Sequence, residues 1–205
     1  MIIGICGFQS SGKDTIANIL INEYGFKKLS FAGALKDVLS VIFGWSREKL
    51  EGVTKEDREW REQIDLWWSK SLNMPQLSPR YALQYFGTEL FRNHWHQDIW
   101  VKVVENKLIN MIKEKEKVII TDCRFENEIN LIRVYGGTII NVYRNMPQWF
   151  TEYKNGKYVE EAQRLHRSET EWIRCQSDTI IENNGTIEEL YTKVQNLTNL
   201  TNINN

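Results

Sequence analysis

Apolar and polar positions change period along the chain. Five short apolar runs, Ile2–Cys6, Lys28–Phe31, Val118–Thr121, Thr138–Tyr143 and Thr179–Ile181, read as strands. Between them lie stretches with helical spacing: Thr15–Tyr24, Ala34–Phe43, Pro79–Asn93, Ile99–Lys115, Glu126–Tyr135 and Ile187–Leu197. Such alternation predicts an α/β fold, a parallel sheet with helices on both faces. The gap between the second and third strands is too long for one crossover helix, so Trp45–Pro79 reads as an inserted helical lobe. Within it Trp60, Ile64, Trp67 and Trp68 recur at helical spacing among Glu56, Asp57, Arg58, Glu59, Arg61 and Glu62, the pattern of a core stripe beside a solvated face. A second polar excursion, Asn145–Arg174, separates the fourth strand from the fifth, with Arg144, Arg164, Arg167 and Arg174 in and around it. The Asn-rich end, Asn196–Asn205, has little to bury and is predicted to fray.

Composition narrows this picture. A chain of 205 residues suffices for one α/β domain with its own core. A net charge of −1 gives no basic groove, so polymeric nucleic acid is not an expected partner. No apolar run reaches membrane-spanning length, and the N-terminal apolar stretch is itself the first strand, so neither membrane nor signal peptide is expected. Cys6, Cys123 and Cys175 are odd in number and lack metal-type spacing, as for free thiols in a reducing cytoplasm.

The chemistry starts directly behind the first strand. Gly7-Phe-Gln-Ser-Ser-Gly-Lys-Asp-Thr15 places Gly-x-x-x-x-Gly-Lys between a strand and a helix, the setting of a phosphate-binding loop. Gly7 and Gly12 allow a close backbone approach, Ser10 and Ser11 complete the cradle, and Lys13 can reach the β- and γ-oxygens of a nucleoside triphosphate. Asp14 stands where a Walker A loop has Ser or Thr, followed by Thr15. Its carboxylate could hold magnesium-bound water, accept a proton, or only favour the helix N-terminus. Val118–Asp122 is an apolar strand ending in a carboxylate, so Asp122 is a second magnesium candidate with Asp14 and Thr15. Arg124 could bind a phosphate or pair with Glu126 or Glu128. Arg164 and Arg167 suit a closing lid or an exposed helix. Arg80, Gln84 and Arg92 share one helical segment and, with Lys36, are candidates for an acceptor phosphate and base. His94 and His96 lack a third partner, and a metal there is not expected.

These motifs, in order, resemble the deoxynucleoside monophosphate kinases of phages and large DNA viruses. The match runs through Ser11-Gly12-Lys13-Asp14-Thr15, Ala32-Gly33-Ala34-Leu35-Lys36-Asp37 and Pro79-Arg80 to Gly87-Thr88-Glu89. It continues through Trp100-Val101-Lys102, Thr121-Asp122-x-Arg124, Gly136-Gly137-Thr138 and Asp178 to Leu190. The resemblance implies a three-layer P-loop kinase fold with sheet order 2-3-1-4-5, an acceptor-binding insertion over about 44–79 and a lid over about 145–174. It implies ATP and magnesium as cofactors, a deoxynucleoside monophosphate as acceptor, a possible homodimer and, for a viral protein, the host cytoplasm. Asn183, Asn184 and Gly185 resemble the turn under the adenine ring in related kinases. Competing expectations are a dephospho-CoA or phosphomevalonate kinase-like enzyme, or a nucleotide-binding module without turnover. A dephospho-CoA kinase usually carries Asp where this chain has Ser30-Phe31-Ala32-Gly33, which ranks that expectation lower.

Overall fold

The structure, a computed structural model, describes residues 1–200, with the side chains of 198–200 left out. Five parallel strands form one sheet: β1 (Ile2–Cys6), β2 (Phe26–Leu29), β3 (Lys117–Ile120), β4 (Thr138–Tyr143) and β5 (Thr179–Glu182). Their order is β2-β3-β1-β4-β5, as expected from the resemblance. The register pairs Ile3 with Ile119 on one side and with Thr138 on the other. The position of each strand explains its composition. The inner strands β1, β3 and β4 are buried along most of their length, whereas the outer β2 and β5 each have one buried residue, Phe26 and Ile181. Phe26 anchors β2, and the strand ends before Ser30, two residues earlier than the apolar run suggests.

Two compact units divide the chain, one comprising 1–30 and 104–205 and the other 31–103. The first carries the sheet. Its helix α1 (Lys13–Tyr24) lays Ile16, Ala17 and Leu20 against Ile3, Ile5, Phe26 and Ile140. The helix after β5 (Ile187–Leu200) adds Leu190, Val194 and Leu197 to the same core. It continues past the predicted boundary to Leu200, so the first half of Asn196–Asn205, expected to fray, is helical, while 201–205 lie outside the described residues.

The second unit is helical. It holds α2 (Gly33–Phe43), α3 (Arg47–Glu51), α4 (Lys55–Glu62), α5 (Leu66–Ser71) and α6 (Pro79–Gln84). Its core is aromatic: Phe43 stacks on Trp45 at 4.2 Å and meets Trp68 edge-on at 5.1 Å. Trp60 and Trp68 thus join the core, whereas Trp67 stays exposed. From Tyr85 to Trp95 the helix continues with π winding, visible in the His96 N–H donating to the Phe91 carbonyl five residues back at 2.8 Å. The i, i+4 face rule therefore stops at Gln84. The helix α7 (Ile99–Lys113) leads out of this unit into the sheet unit.

The sheet unit also contains α8 (Glu126–Val134) and, in the excursion after β4, α9 (Phe150–Lys154), α10 (Glu160–Gln163), α11 (Arg167–Thr170) and a 3-10 turn over Glu171–Arg174. The excursion reads as polar, yet it is anchored: Phe150, Tyr153, Trp172 and Ile173 are buried.

Candidate active site

The loop between β1 and α1 has the backbone that its glycines foretell. Gly12 has φ 105°, and a Cβ there would stand 2.3 Å from Asn183 Nδ2. Gly7 has φ 152°, and a Cβ there would lie 2.7 Å from the Val142 carbonyl. No other residue type fits either place without displacing a neighbouring strand or the turn after β5. Ser10 adopts φ 62°, and the Ser11 N–H donates to the Phe8 carbonyl at 3.2 Å, closing the loop.

Lys13 opens α1 and folds back over this loop. Its ammonium donates to the Gly7 carbonyl at 2.9 Å and to the Phe8 carbonyl at 2.6 Å. Burial, and secondarily the positive charge of Arg124, lower its pKa to about 8 despite the carboxylates of Asp14 and Glu169. A cation bonded only to neutral carbonyls beside a helix N-terminus is prepared for an anion.

The first turn of α1 and the carboxyl end of β3 supply the acids Asp14 and Asp122. Asp14 Oδ1 accepts from Lys28 Nζ at 2.9 Å and from the Thr121 hydroxyl at 3.2 Å. Burial raises its pKa, but these two donors and the Lys28 charge outweigh it and hold Asp14 below the usual carboxylate range. Asp122 Oδ2 accepts from the Ser30 hydroxyl at 2.7 Å. Lys28 in β2 and Ser30 just beyond it are two apart and so share one face, which brings a donor to each carboxylate. With the Thr15 hydroxyl these are hard oxygen donors, the chemistry a magnesium ion takes.

Arg124 turns towards the excursion. Its guanidinium donates to Glu169 Oε1 at 2.7 Å and to the Ser168 carbonyl at 3.2 Å. The carboxylate that hydrogen-bonds this guanidinium is Glu169; Glu128 accepts from the Arg124 and Phe125 N–H groups, caps α8 and adds its negative charge beside Arg124. Burial would lower the pKa of Arg124, but Glu169 prevails and raises it.

The other sequence candidates have these places. Asn183 is buried, and its amide donates to the Ser11 carbonyl at 2.8 Å, bracing the loop. Asn184 Oδ1 accepts from the Asn145 N–H at 3.0 Å, and Gly185 follows on the surface. Arg164 is exposed and pairs with Glu160 one turn back; Arg167 pairs with Glu171 at 2.7 Å and lies over the Phe125 ring. In the helical unit Lys36 is 8% exposed and bonded to Glu51 at 3.0 Å. Arg47 shares that carboxylate at 2.7 Å. Arg80 and Gln84 are half-buried, with Arg80 4.0 Å from Glu62. Arg92 is buried and donates to the Gln97 carbonyl at 3.2 Å.

Four features escape a reading of the sequence. Lys28 and Ser30 carry no motif beyond the end of an apolar run. Glu169 is one acid in a charged excursion. Phe8 meets Trp149, Phe150 and Trp172 edge-on, with centroids at 6.0, 6.1 and 5.3 Å, and so ties the loop to that excursion. Beside the loop a hollow of about 540 Å³ is lined by Phe8, Gln9, Ser10, Arg144, Asn145 and Pro147. Of its lining only Ser10, as part of the loop's cradle, is a candidate from the sequence.

Comparisons with known proteins agree with this geometry. The chain aligns with a protein of Acanthamoeba polyphaga mimivirus, named provisionally as a deoxynucleotide monophosphate kinase, at 30% identity over 95% of this chain and 94% of the relative. It aligns with the deoxynucleotide monophosphate kinase of Enterobacteria phage T4 at 23% identity over 95% of this chain and 97% of that protein. Among solved structures, a dephospho-CoA kinase from Campylobacter jejuni superposes with a TM-score of 0.51 at 19% identity, covering 98% of this chain and 96% of its own, a likeness of fold alone. The sequence profile of the deoxynucleotide monophosphate kinases matches residues 61–194, and with the loop, the two carboxylates and Arg124 in place this chain belongs to that family.

Proposed function

We propose that this protein transfers the γ-phosphoryl group of ATP to the phosphate of a deoxynucleoside monophosphate, giving a deoxynucleoside diphosphate and ADP. The observation that carries the reading is Lys13, a cation held by two carbonyls at the head of α1, with Arg124 and Asp122 at the carboxyl end of β3. Family membership supplies the acceptor class.

Phosphoryl transfer asks a protein mainly for alignment and charge neutralisation. The loop amides and Lys13 bind the β- and γ-phosphates, and the hollow beside Ser10 and Arg144 takes the adenosine, with Asn184 bonded to Asn145 of its lining. Magnesium, held by Asp122 and Asp14 with Thr15 beside them, would neutralise phosphate charge. Arg124, Arg164 and Arg167 serve the transferring group, the latter two from the excursion acting as a lid. Arg80, Gln84 and Arg92 serve the acceptor, whereas Lys36, a candidate by position, is already neutralised by Glu51. An acceptor phosphate oxygen attacks the γ-phosphorus as the bond to the bridging oxygen breaks, and ADP leaves with that electron pair. The acceptor is already ionised at neutral pH, so no general base is required. Asp14, with two donors and a lowered pKa, suits charge and metal positioning better than proton abstraction.

The test is ADP release by the purified protein with ATP, magnesium and each deoxynucleoside monophosphate in turn, ribonucleotide counterparts alongside. Release that depends on a deoxynucleotide supports the reading. ATP binding without acceptor-dependent release would point to a module without turnover.

A further inference from the structure

Arg124 and Lys13 bring two cations to one end of the sheet, and an excursion carboxylate pairs with the first. Glu169 Oε1 bonds the Arg124 guanidinium at 2.7 Å, and its charge also acts on Lys13. That carboxylate is tightly placed. The Trp172 indole N–H donates to the Glu169 carbonyl at 2.9 Å, and Trp172, 2% exposed, packs edge-on against Phe8 of the loop. His166 Nδ1 accepts from the Ser168 N–H at 3.2 Å and caps the turn that presents Glu169. At the other end Glu128 fixes the Arg124 backbone by its N–H at 2.7 Å. Both ends of the Arg124–Glu169 pair are thus held by groups that touch neither ATP nor acceptor in the reading above.

We propose that Glu169 is a positioning residue for phosphoryl transfer, aiming Arg124 at the phosphate site and supplying the counter-charge that the γ-phosphate takes over when ATP binds. This rests on the kinase reading of the loop. A purely structural pair would lower binding and turnover together when broken. A positioning carboxylate also competes with phosphate for the Arg124 guanidinium, so its loss separates the two quantities.

The experiment measures ATP dissociation constants by calorimetry, and turnover with a deoxynucleoside monophosphate, for Glu169→Gln, Glu169→Asp, Arg124→Ala and the Glu169→Gln/Arg124→Ala double variant. Thermal unfolding checks the fold, which the Phe8, Trp149, Phe150 and Trp172 cluster should maintain. In Glu169→Gln, kcat should fall about 30- to 100-fold, the cost of a misaimed catalytic group. ATP should bind as tightly as before, or about three- to tenfold tighter, because an anionic competitor is gone. Glu169→Asp should recover most of the turnover, and Glu169→Gln should cost nothing further once Arg124 is Ala. The proposal is overturned if Glu169→Gln keeps kcat within about threefold of wild type, if ATP affinity is lost in step with kcat, or if the loss persists in the Arg124→Ala background. ATP binding needs no acceptor. A wild type that makes no diphosphate would therefore sink the kinase reading, while the affinity arm still decides whether Glu169 is the counter-charge.

Discussion

Lys13 and Lys36 each stand near the start of a helix, one in the sheet unit and one in the helical unit, and they are satisfied in opposite ways. Lys13 bonds two backbone carbonyls, and its pKa falls to about 8. Lys36 bonds the Glu51 carboxylate at 3.0 Å, and Glu51 is itself held at about 2, where burial pulls upward and the charges of Lys36 and Arg47 prevail. Lys36 has its anion within the fold, while Lys13 has dipoles and a place for an anion to arrive. A buried ion pair contributes to structure, and a buried cation on carbonyls sacrifices stability for binding.

The largest expected effect follows from that difference. Lys13→Met should lower turnover by about 10²- to 10⁴-fold. It should leave the urea midpoint unchanged or raised, since no carboxylate loses its bonded partner. A cooperative loss of stability would break the contrast by showing that Lys13 is structural.

Glu51→Gln should do the reverse, destabilising by about 2 kcal/mol because Lys36 keeps its charge without a carboxylate. The double variant Lys36→Met/Glu51→Gln should recover much of that loss in urea unfolding. Acid titration gives the same answer by another route. The folded pKa of Glu51 is lowered, so its contribution is complete above pH 4.5 and is lost as pH falls towards about 2. Glu51→Gln should flatten that limb of the stability curve.

The pH dependence of ATP binding sharpens the comparison at lower cost. Free Lys13 titrates near 8, and bound phosphates should raise its pKa, so ATP binding takes up a proton above that pH. Affinity should therefore weaken as pH rises through about 8 to 10, and calorimetry in buffers of different ionisation enthalpy should register the uptake. An ATP affinity independent of pH there would mean that Lys13 does not meet the phosphates. The smallest effect is that of Arg80→Ala, which should raise the Michaelis constant for the acceptor about tenfold with that for ATP nearly unchanged.

Much of this was legible in the chain. The bounds of β1 and β4 follow from continuous apolar runs that only a central parallel strand needs, and the strand order from the family resemblance. Gly7, Gly12 and Lys13 announce the loop because its backbone admits few other residues. What stayed hidden depends on tertiary partners. Ser30 and Lys28 acquire meaning only when β2 pairs with β3 and brings them to Asp122 and Asp14. Glu169 is 45 residues from Arg124, with no periodicity linking them. The π winding after Gln84 leaves no sequence mark, because apolar spacing over 11 residues hardly distinguishes it from an α-helix. Trp172 looked like part of a polar excursion, since its anchor, Phe8, lies at the other end of the chain.

The most direct test of the central claim follows the phosphoryl group itself. Wild-type protein and Lys13→Met would be incubated with ATP labelled at the γ-phosphate and each deoxynucleoside monophosphate, and the products separated. Phosphoryl transfer steered by Lys13 requires label in a deoxynucleoside diphosphate with the wild type and none with Lys13→Met. Label only in inorganic phosphate, or equal transfer by both proteins, would contradict it.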